Sequence, residues 1–329
     1  MIFFAVSCFV LSQEPFPALS SALRRFHRRQ ERVDVRLSTI HESASQRPMA
    51  NLKGYSKRNV ILHLTGGGFF AHTIAGDLPY LLDWSSSSKA VVIVPEYSLS
   101  PKKYPEAITE VISIYRALRF GQAAVLLGFQ SDRIIVSGES VGGNLATALC
   151  VSLIMDNEED QCVELTHQKS AEMVSDLEDS LSYNENEDQN TSECGCESKY
   201  ADIPDALLLC CPALNLSLDS TPSRIDGAND PVLPSALIST ISASYLGGCP
   251  PTDPIASPYY ASDSILCSFP PTLIFTSSED PLLDDSVSFN GRLRSVGYVL
   301  CMTCPMHFGV SLENLLQCLV IDEFRCIAL

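Results

Sequence analysis

Short apolar runs alternate with segments of helical periodicity along most of this chain. Continuous apolar runs bounded by polar residues predict buried strands, here over residues 60–64, 90–94, 133–137, 206–210, 272–276 and 298–301. Apolar positions spaced three and four apart predict helices over 104–120, 144–155, 234–245 and 284–296. Strands that alternate with helices in this way are typical of an α/β protein with a mostly parallel central sheet and helices on both faces.

Residues 156–200 interrupt this alternation. The segment is acidic, rich in Ser and Asn and poor in aromatic residues, so it cannot bury enough apolar surface to offset the cost of ordering it. We therefore expect a disordered surface insert, which is either a regulatory segment or a tolerated insertion. The insert divides the chain into an N-terminal or cap segment over 1–58, a first part of the main domain over 59–155 and a second part over 201–329.

The composition excludes several classes of protein. Of 329 residues, 46% are hydrophobic and 19% are charged, which is ordinary for a globular chain. Lys and Arg total 22 against 39 Asp and Glu, a formal net charge of −17, whereas a nucleic-acid-binding protein normally carries a basic excess. Apolar runs in the sequence are all shorter than the ~18 residues of a transmembrane helix. We expect no nucleic-acid partner and no membrane span.

The apolar residues 1–11 bear on the location of the protein. They have the length of a signal-peptide core but lack a basic region before it and a clear cleavage site, so secretion is the weaker interpretation. A cap helix or a helix that touches a membrane is the alternative. The basic cluster at 24–29 suits a solvated helix face or a contact with anionic lipid.

The sequence contains 13 cysteines, an odd number with no regular spacing. Several lie inside apolar runs, as in 206–211, so we expect reduced, buried thiols in a cytoplasmic protein. Two pairs are spaced like metal ligands, Cys194 with Cys196 and Cys301 with Cys304. A structural zinc site usually needs a second pair at matched spacing, so we expect neither a metal nor a cofactor.

A G-x-S-x-G motif at 138–142 follows a predicted strand and begins a predicted helix. In that context it predicts a nucleophile elbow, a tight turn that holds Ser140 above the edge of the sheet. Glycines are needed at its flanks because the turn leaves no space for side chains. The following helix N-terminus offers unpaired N–H groups, including that of Val141, to an oxyanion. The alternative is an ordinary glycine-rich turn.

A serine hydroxyl needs a base, and the base needs an orienting carboxylate. In enzymes with this elbow, the acid and then the histidine follow the serine along the chain. His167 lies in the acidic insert, so His307, beyond the last predicted strand, is the candidate base; the alternative is a loop histidine without a catalytic task. Asp280 follows the strand at 272–276 and is the candidate acid, with Glu279 as the alternative.

Three glycines, Gly66, Gly67 and Gly68, follow the first strong strand. Glycines let the backbone approach a ligand with its N–H groups pointing inward, which suits an oxyanion hole. A phosphate-binding loop would instead need a following Lys-Ser/Thr pair or a G-x-G-x-x-G pattern, and this stretch has neither.

Together these segments resemble the hormone-sensitive lipase family of α/β-hydrolases, over about 59–155 and 205–310. The matching pieces are the oxyanion loop at 66–69, a Y-S-L-S-P turn at 97–101, the elbow at 138–145, and the acid segment D-P-L-L-D-D-S at 280–286. The resemblance implies an α/β-hydrolase fold and a serine hydrolase that cleaves carboxylic esters, acylglycerols or other lipid esters, without a cofactor.

The resemblance also assigns roles to individual residues. Ser140 would attack the ester carbonyl and form an acyl-enzyme, His307 would take and return the proton, and Asp280 would orient His307. The oxyanion would be held by three backbone N–H groups, those of Gly67, Gly68 and Val141. The family's lipase carries a regulatory insert soon after the elbow helix, where phosphorylation acts, and 156–200 occupies the same place.

Two positions depart from the family pattern. Thr65 stands where the family usually has a histidine before the glycines, which puts the rigidity of the loop in question. His307-Phe308-Gly309 replaces the family's His-Gly-Phe, and the tail after His307 is short. We therefore expect activity on short esters more than on long-chain lipids.

Two other functions stay open at this point. One is a catalytically silent protein that binds a small molecule on the same scaffold, and the other is an amide-cleaving relative. The resemblance and the cysteines both favour the cytoplasm, with contact to a lipid surface as an option.

Overall fold

The computed structural model describes residues 6–12, 32–33, 54–175 and 202–296. Within them the chain forms one sheet of seven strands, β1 (Cys8–Leu11), β2 (Arg32–Val33), β3 (Ser56–Leu64), β4 (Val91–Pro95), β5 (Phe129–Glu139), β6 (Ala206–Cys210) and β7 (Thr272–Phe275). The helices in these residues are α1 (Ile74–Ser88), α2 (Glu106–Arg119), α3 (Ala124–Leu127), α4 (Val141–Ser175), α5 (Pro222–Asp226), α6 (Ser235–Leu246), α7 (Asp263–Leu266) and α8 (Leu283–Ser295). A 3-10 turn lies at Pro258–Tyr260.

The strands follow the order β2-β1-β4-β3-β5-β6-β7 across the sheet. β4, β3, β5, β6 and β7 are parallel to one another. β1 is antiparallel to both of its neighbours, β4 and β2. The prediction of a mostly parallel sheet is therefore confirmed. β3 and β5 are longer than predicted because their polar ends, from Ser56 and from Phe129, pair with each other beyond the apolar runs. The predicted strand at 298–301 lies outside the described residues.

Alternation along the strands divides the buried side chains between two faces. In β3, Val60, Leu62 and Leu64 join the larger core, which includes residues of α2 and α4. Ile61 points the other way and joins the smaller core with Tyr80, Leu81 and Trp84 of α1. Because side chains alternate with a period of two, His63 lies on the α1 face with Ile61.

Helix α4 runs from Val141 to Ser175, well past the predicted end at 155. The expectation of a disordered insert over 156–200 is therefore wrong for 156–175, and residues 176–201 lie outside the described residues. The extension contains Glu, Gln, Leu, Ala and Met, which favour helix even where little apolar surface is buried. The Arg116 guanidinium lies 2.6 Å from the Asp156 carboxylate and ties the start of the extension to α2.

Three stretches of the segment 1–58, which was expected to form an N-terminal or cap segment, pair in the sheet: β1, β2 and the first residues of β3. β1 lies beside β4 with Cys8 opposite Pro95 and Leu11 opposite Val92, so the apolar N-terminal run is a strand here rather than a helix. Cys8 and Leu11 are buried in this edge of the sheet. The basic cluster at 24–29 lies outside the described residues. Among the helices described, none has the length and apolar character to cross a membrane.

Candidate active site

The G-x-S-x-G motif forms a sharp turn between β5 and α4. Ser140 has φ of +53°, a left-handed backbone conformation that is rare for a residue with a side chain. Its N–H donates to the Cys210 carbonyl at 2.9 Å, and its own carbonyl accepts from the N–H groups of Ala213 at 2.9 Å and Asn144 at 3.1 Å. The strained residue is thus held on every side by backbone hydrogen bonds, as a nucleophile elbow requires.

The glycines of the motif are required by close backbone approaches. A Cβ atom on Gly138 would lie 2.3 Å from the Gly142 carbonyl oxygen. A Cβ atom on Gly142 would lie 2.0 Å from the carbonyl oxygen of Leu64, the last residue of β3. Both distances are far inside van der Waals contact, so the elbow closes only with glycine at these positions.

The predicted oxyanion loop follows β3 and lies next to the elbow. A Cβ atom on Gly66 would lie 3.5 Å from Ser140 Cβ. Gly67 has φ of +107° and closes a turn in which its carbonyl accepts from the N–H groups of Phe70 at 3.0 Å and Ala71 at 3.1 Å. Gly68 has φ of +65°. The loop therefore brings the backbone of Gly66 next to Ser140.

Both the backbone carbonyl and the side-chain hydroxyl of Thr65 have hydrogen-bond partners. Its carbonyl accepts a 2.7 Å hydrogen bond from the Tyr97 hydroxyl, and its own hydroxyl lies 3.2 Å from Nδ1 of His72. Burial lowers the pKa of His72, so its imidazole is neutral at neutral pH and can share a hydrogen bond with the hydroxyl. Thr65 is therefore joined to both His72 and Tyr97 directly before the glycines.

Helix α6 supports the other end of the oxyanion loop. Phe69 is buried with φ of +60°, and its ring stacks on Tyr245 with the centroids 3.7 Å apart and the planes 3° from parallel. The N–H of Ser100 donates to the Phe69 carbonyl at 2.7 Å. Ile241, one turn before Tyr245, lies against Gly68. The conformation of the loop thus depends on a helix far away in the sequence.

Asp280 lies in the turn after β7, at the same edge of the sheet as Ser140. β5, β6 and β7 are neighbours, and Cys210 is opposite both Glu139 and Phe275, so the residues that follow all three strands meet at this edge. The Leu282 N–H donates to Asp280 Oδ1 at 2.8 Å. The structure therefore brings the candidate acid to the elbow's edge of the sheet.

Burial and hydrogen bonding shift the pKa of the Asp280 carboxyl in opposite directions. Burial raises its pKa above the ordinary value, while the Leu282 N–H and the Cys211 thiol lower it. A hydrogen bond with Cys210, together with burial, raises the pKa of the Cys211 thiol, so the thiol stays protonated and can donate to Asp280. Cys211 was not among the candidate site residues; its place directly after β6 is the signal that could have found it.

The other carboxylates of the acid segment have different partners. Asp284 accepts from the Ser223 N–H at 2.7 Å, and buried Asp285 forms a 2.7 Å ion pair with Arg224. Glu279, the alternative acid, is exposed. His307, the candidate base, lies outside the described residues, as do the cysteine pairs at 194/196 and 301/304. Among the described residues, no group of three or more His, Cys, Asp or Glu side chains could hold a metal ion.

A cluster of buried and half-buried polar side chains, not predicted from the sequence, lies beneath the elbow on the α1 face. His63 is 2% exposed; its Nδ1 lies 3.1 Å from the Ser137 hydroxyl and its Nε2 lies 3.4 Å from Asp77 and 3.3 Å from the Tyr80 hydroxyl. Glu139, next to the nucleophile, completes the cluster. The pKa of Glu139 is raised to about 7: burial and then the Asp77 carboxylate raise it, and a hydrogen bond from Tyr80 lowers it. Strand alternation could have indicated His63 and Glu139.

Comparison with known proteins agrees with this fold. A family model described as the alpha/beta hydrolase fold matches residues 61–303. The chain belongs to that family. An esterase of Acinetobacter venetianus is 28% identical over 239 residues, which cover 72% of this chain and 62% of that protein. Human hormone-sensitive lipase is 28% identical over 192 residues, which cover 58% of this chain and 14% of that protein.

Solved structures show the same fold. A hormone-sensitive lipase from a metagenome library has a TM-score of 0.58 at 23% identity, over 82% of this chain and 77% of that chain. One of two fungal esterases from Rhizomucor miehei has a TM-score of 0.63 at 20% identity, over 83% of this chain and 75% of that chain. The resemblance to the hormone-sensitive lipase family that the motifs indicated is confirmed. The aligned part is less than two thirds of either of the curated relatives.

Proposed function

We propose that this protein is a serine hydrolase of carboxylic esters that forms an acyl-enzyme on Ser140. The observation that carries the proposal is the φ of +53° at Ser140 in a turn whose glycines are required by backbone contacts. Strain of this kind is stored where a nucleophile must stand clear of the sheet. The relatives named an esterase and a lipase support the same reaction class.

The proposed mechanism starts with the Ser140 hydroxyl, which attacks the ester carbonyl as His307 removes its proton. The tetrahedral intermediate carries an oxyanion, which the N–H groups of Gly67, Gly68 and Val141 would stabilise. His307 then gives the proton to the leaving alcohol. In the second half, water attacks the acyl-enzyme while His307 takes its proton, and His307 returns that proton to Ser140 as the acid product leaves. Asp280 orients His307 and stabilises its protonated form.

The test is hydrolysis of p-nitrophenyl esters of increasing acyl length by the native protein, Ser140→Ala and His307→Ala. We expect both variants to lose at least about a thousandfold in kcat/KM. Ser264→Ala, which changes an exposed serine of α7, is the matched control and should keep native activity. If the folded native protein hydrolyses none of the esters, the protein is better regarded as a silent small-molecule-binding member of the fold. A preference for anilides over esters would indicate the amide-cleaving alternative.

We also propose that the substrate is a small-molecule or lipid ester and that the protein touches lipid surfaces. Leu218, Ile225 and Val232 lie between β6 and α6 with 65%, 63% and 69% of their surfaces exposed. Exposed apolar side chains of this size favour contact with a lipid surface. Co-sedimentation with phosphatidylcholine vesicles, compared with Val232→Ser, tests this; equal sedimentation of both proteins would contradict it.

The proposed location is the cytoplasm. Six cysteines of the described residues, Cys8 and Cys150 in buried positions among them, are free thiols. Free, buried thiols are typical of a reducing compartment. Fractionation of cells that express the full protein would test this, and recovery from the medium would contradict it.

A further inference from the structure

The buried cluster beneath the elbow connects the residue before the nucleophile to helix α1. His63 comes from β3, Ser137 and Glu139 from β5, and Asp77 and Tyr80 from α1. His63 and Ser137 are register partners in neighbouring strands, and Glu139 lies two residues further along β5, on the same face of the sheet. A cavity lined by His63, Tyr80 and Glu139, with Trp84, Cys210 and Phe275, lies among them.

Glu139 also contacts the oxyanion loop. A Cβ atom on Gly66 would lie 3.8 Å from Glu139 Cγ and 3.4 Å from the Glu139 carbonyl oxygen. The Glu139 side chain therefore lies between the buried cluster on one side and the start of the oxyanion loop on the other. Any change in its position or charge acts on both parts of the site at once.

Burial and the neighbouring Asp77 charge suit a protonated Glu139 better than an ionised one, against the single hydrogen bond from Tyr80. The Tyr80 hydroxyl has one hydrogen to donate, and it contacts Asp77, Glu139 and the His63 ring. An ionised Glu139 would compete with Asp77 for that hydrogen and would repel its carboxylate in a buried setting. A protonated Glu139 carries no charge to repel Asp77 and brings a hydrogen of its own to the cluster.

We propose that Glu139 is a positioning residue for Ser140 and the oxyanion loop, and that its neutral carboxylic acid is the form that supports catalysis. Ionisation adds a negative charge beside the loop that must stabilise the oxyanion and introduces repulsion from Asp77. Both effects lower the rate. This inference rests on the proposed esterase function and adds a second titrating group to it, distinct from the base.

The groups that face Glu139 determine where the activity should fall with pH. Among the described residues these are His63 from β3, Asp77 and Tyr80 from α1, and Cys210 from β6, which also lies against Tyr80. The pKa of Glu139, about 7, lies within the working range of an esterase. We therefore expect kcat/KM to have a descending limb above about pH 7.

The experiment is the dependence of kcat/KM on pH, from about pH 6 to about pH 9, for the native protein and Glu139→Gln. Glutamine keeps the shape of the side chain and cannot ionise. We expect native kcat/KM to fall about tenfold between about pH 7.5 and about pH 9, and that of Glu139→Gln to change less than about twofold. Glu158→Gln, at an exposed site on α4, is the matched control and should keep the native limb.

Two further variants separate this titration from that of the base. Asp77→Asn removes the charge that raises the pKa of Glu139, so the limb should move to lower pH. Tyr80→Phe removes the hydrogen bond that lowers this pKa, so the limb should move to higher pH. Shifts of opposite sign are not expected from simple damage to the fold.

The outcomes are distinct. A descending limb that persists unchanged in Glu139→Gln, while that variant is folded and active, would overturn the inference and leave the esterase function intact. Absence of any ester hydrolysis by the native protein would refute the proposed function, and the inference with it. Loss of activity at all pH values in Glu139→Gln, with native unfolding temperature, would also overturn it, because the neutral form is the one proposed to be active.

Discussion

Gly142 lies so close to Leu64 that a Cβ atom on the glycine would be 2.0 Å from the leucine carbonyl oxygen. The contact joins the first turn of α4 to the end of β3, directly before the oxyanion loop. Because the second atom is backbone, no side-chain rotation can relieve the overlap. The nucleophile and its oxyanion loop therefore share one rigid contact.

We predict that Gly142→Ala abolishes activity and lowers the free energy of unfolding by about 3 kcal/mol or more, because backbone must move to admit the methyl group. Gly76→Ala is the matched control. Gly76 lies in α1, and a methyl group there would meet no atom within 4 Å beyond the backbone of its own helix, so alanine should stabilise the protein by about 0.5–1 kcal/mol. Urea unfolding and ester hydrolysis of both variants measure this, and equal effects would contradict the packing argument.

A second prediction concerns Cys211 and the acid. The thiol lowers the pKa of Asp280, so Cys211→Ala should raise that pKa further. In the proposed mechanism Asp280 must be ionised to orient the base, so activity is lost as pH falls through its pKa. The acid limb of kcat/KM should therefore move to higher pH in Cys211→Ala. Cys211→Ser keeps a donor and should show a smaller shift; identical profiles in both variants would refute a hydrogen-bond effect.

The stacked pair of Phe69 and Tyr245 leads to a third prediction. Tyr245→Leu removes the ring that stacks on Phe69 beneath the oxyanion loop. An aromatic pair is worth about 0.5–1.5 kcal/mol, so if that energy holds the loop in place kcat should fall by up to about tenfold. Tyr245→Phe keeps the stack and removes a buried hydroxyl without a partner among the described residues, so its kcat should stay near native. Steady-state kinetics at saturating ester distinguishes them. A larger loss in the phenylalanine variant would contradict the stacking explanation.

The fourth prediction concerns the ion pair behind the acid segment. Arg224 is 7% exposed and pairs with buried Asp285 at 2.7 Å, while it also donates to the carbonyls of Asn215 and Ser217. Arg224→Met leaves Asp285 buried without its counter-charge and should cost about 3–5 kcal/mol of unfolding free energy. The double variant Arg224→Met/Asp285→Leu should lose less. Denaturant unfolding tests both, and an additive loss in the double variant would contradict the assignment.

Much of this site could be predicted from the sequence because its key signals are local. The elbow depends on a strand, a turn and a helix within a few residues of Ser140, and the glycines that permit the turn are part of the same motif. Short apolar runs indicated the parallel sheet, and in a parallel sheet the residues after neighbouring strands meet at one edge. Asp280 could be placed at that edge for this reason alone.

Other features were decided by contacts between distant parts of the chain. Composition suggested that residues 156–175 were disordered, yet helix formers extend α4 through them, because composition reports on burial and not on helix propensity. The apolar N-terminal run became β1 because β4 offered it an open edge.

The cluster around His63 shows most clearly which features follow from local sequence and which depend on contacts between distant parts of the chain. Alternation within β5 puts Glu139 and Ser137 on the same face, since side chains alternate with a period of two. The pairing of β5 with β3 puts His63 on that face too, and the fold then lays α1 over it and brings Asp77 and Tyr80 to these residues. Alternation with a period of two predicts which side chains of a strand share a face. The pKa of a carboxyl on that face depends on burial and on the charges of other elements packed against it, which only the folded chain brings close.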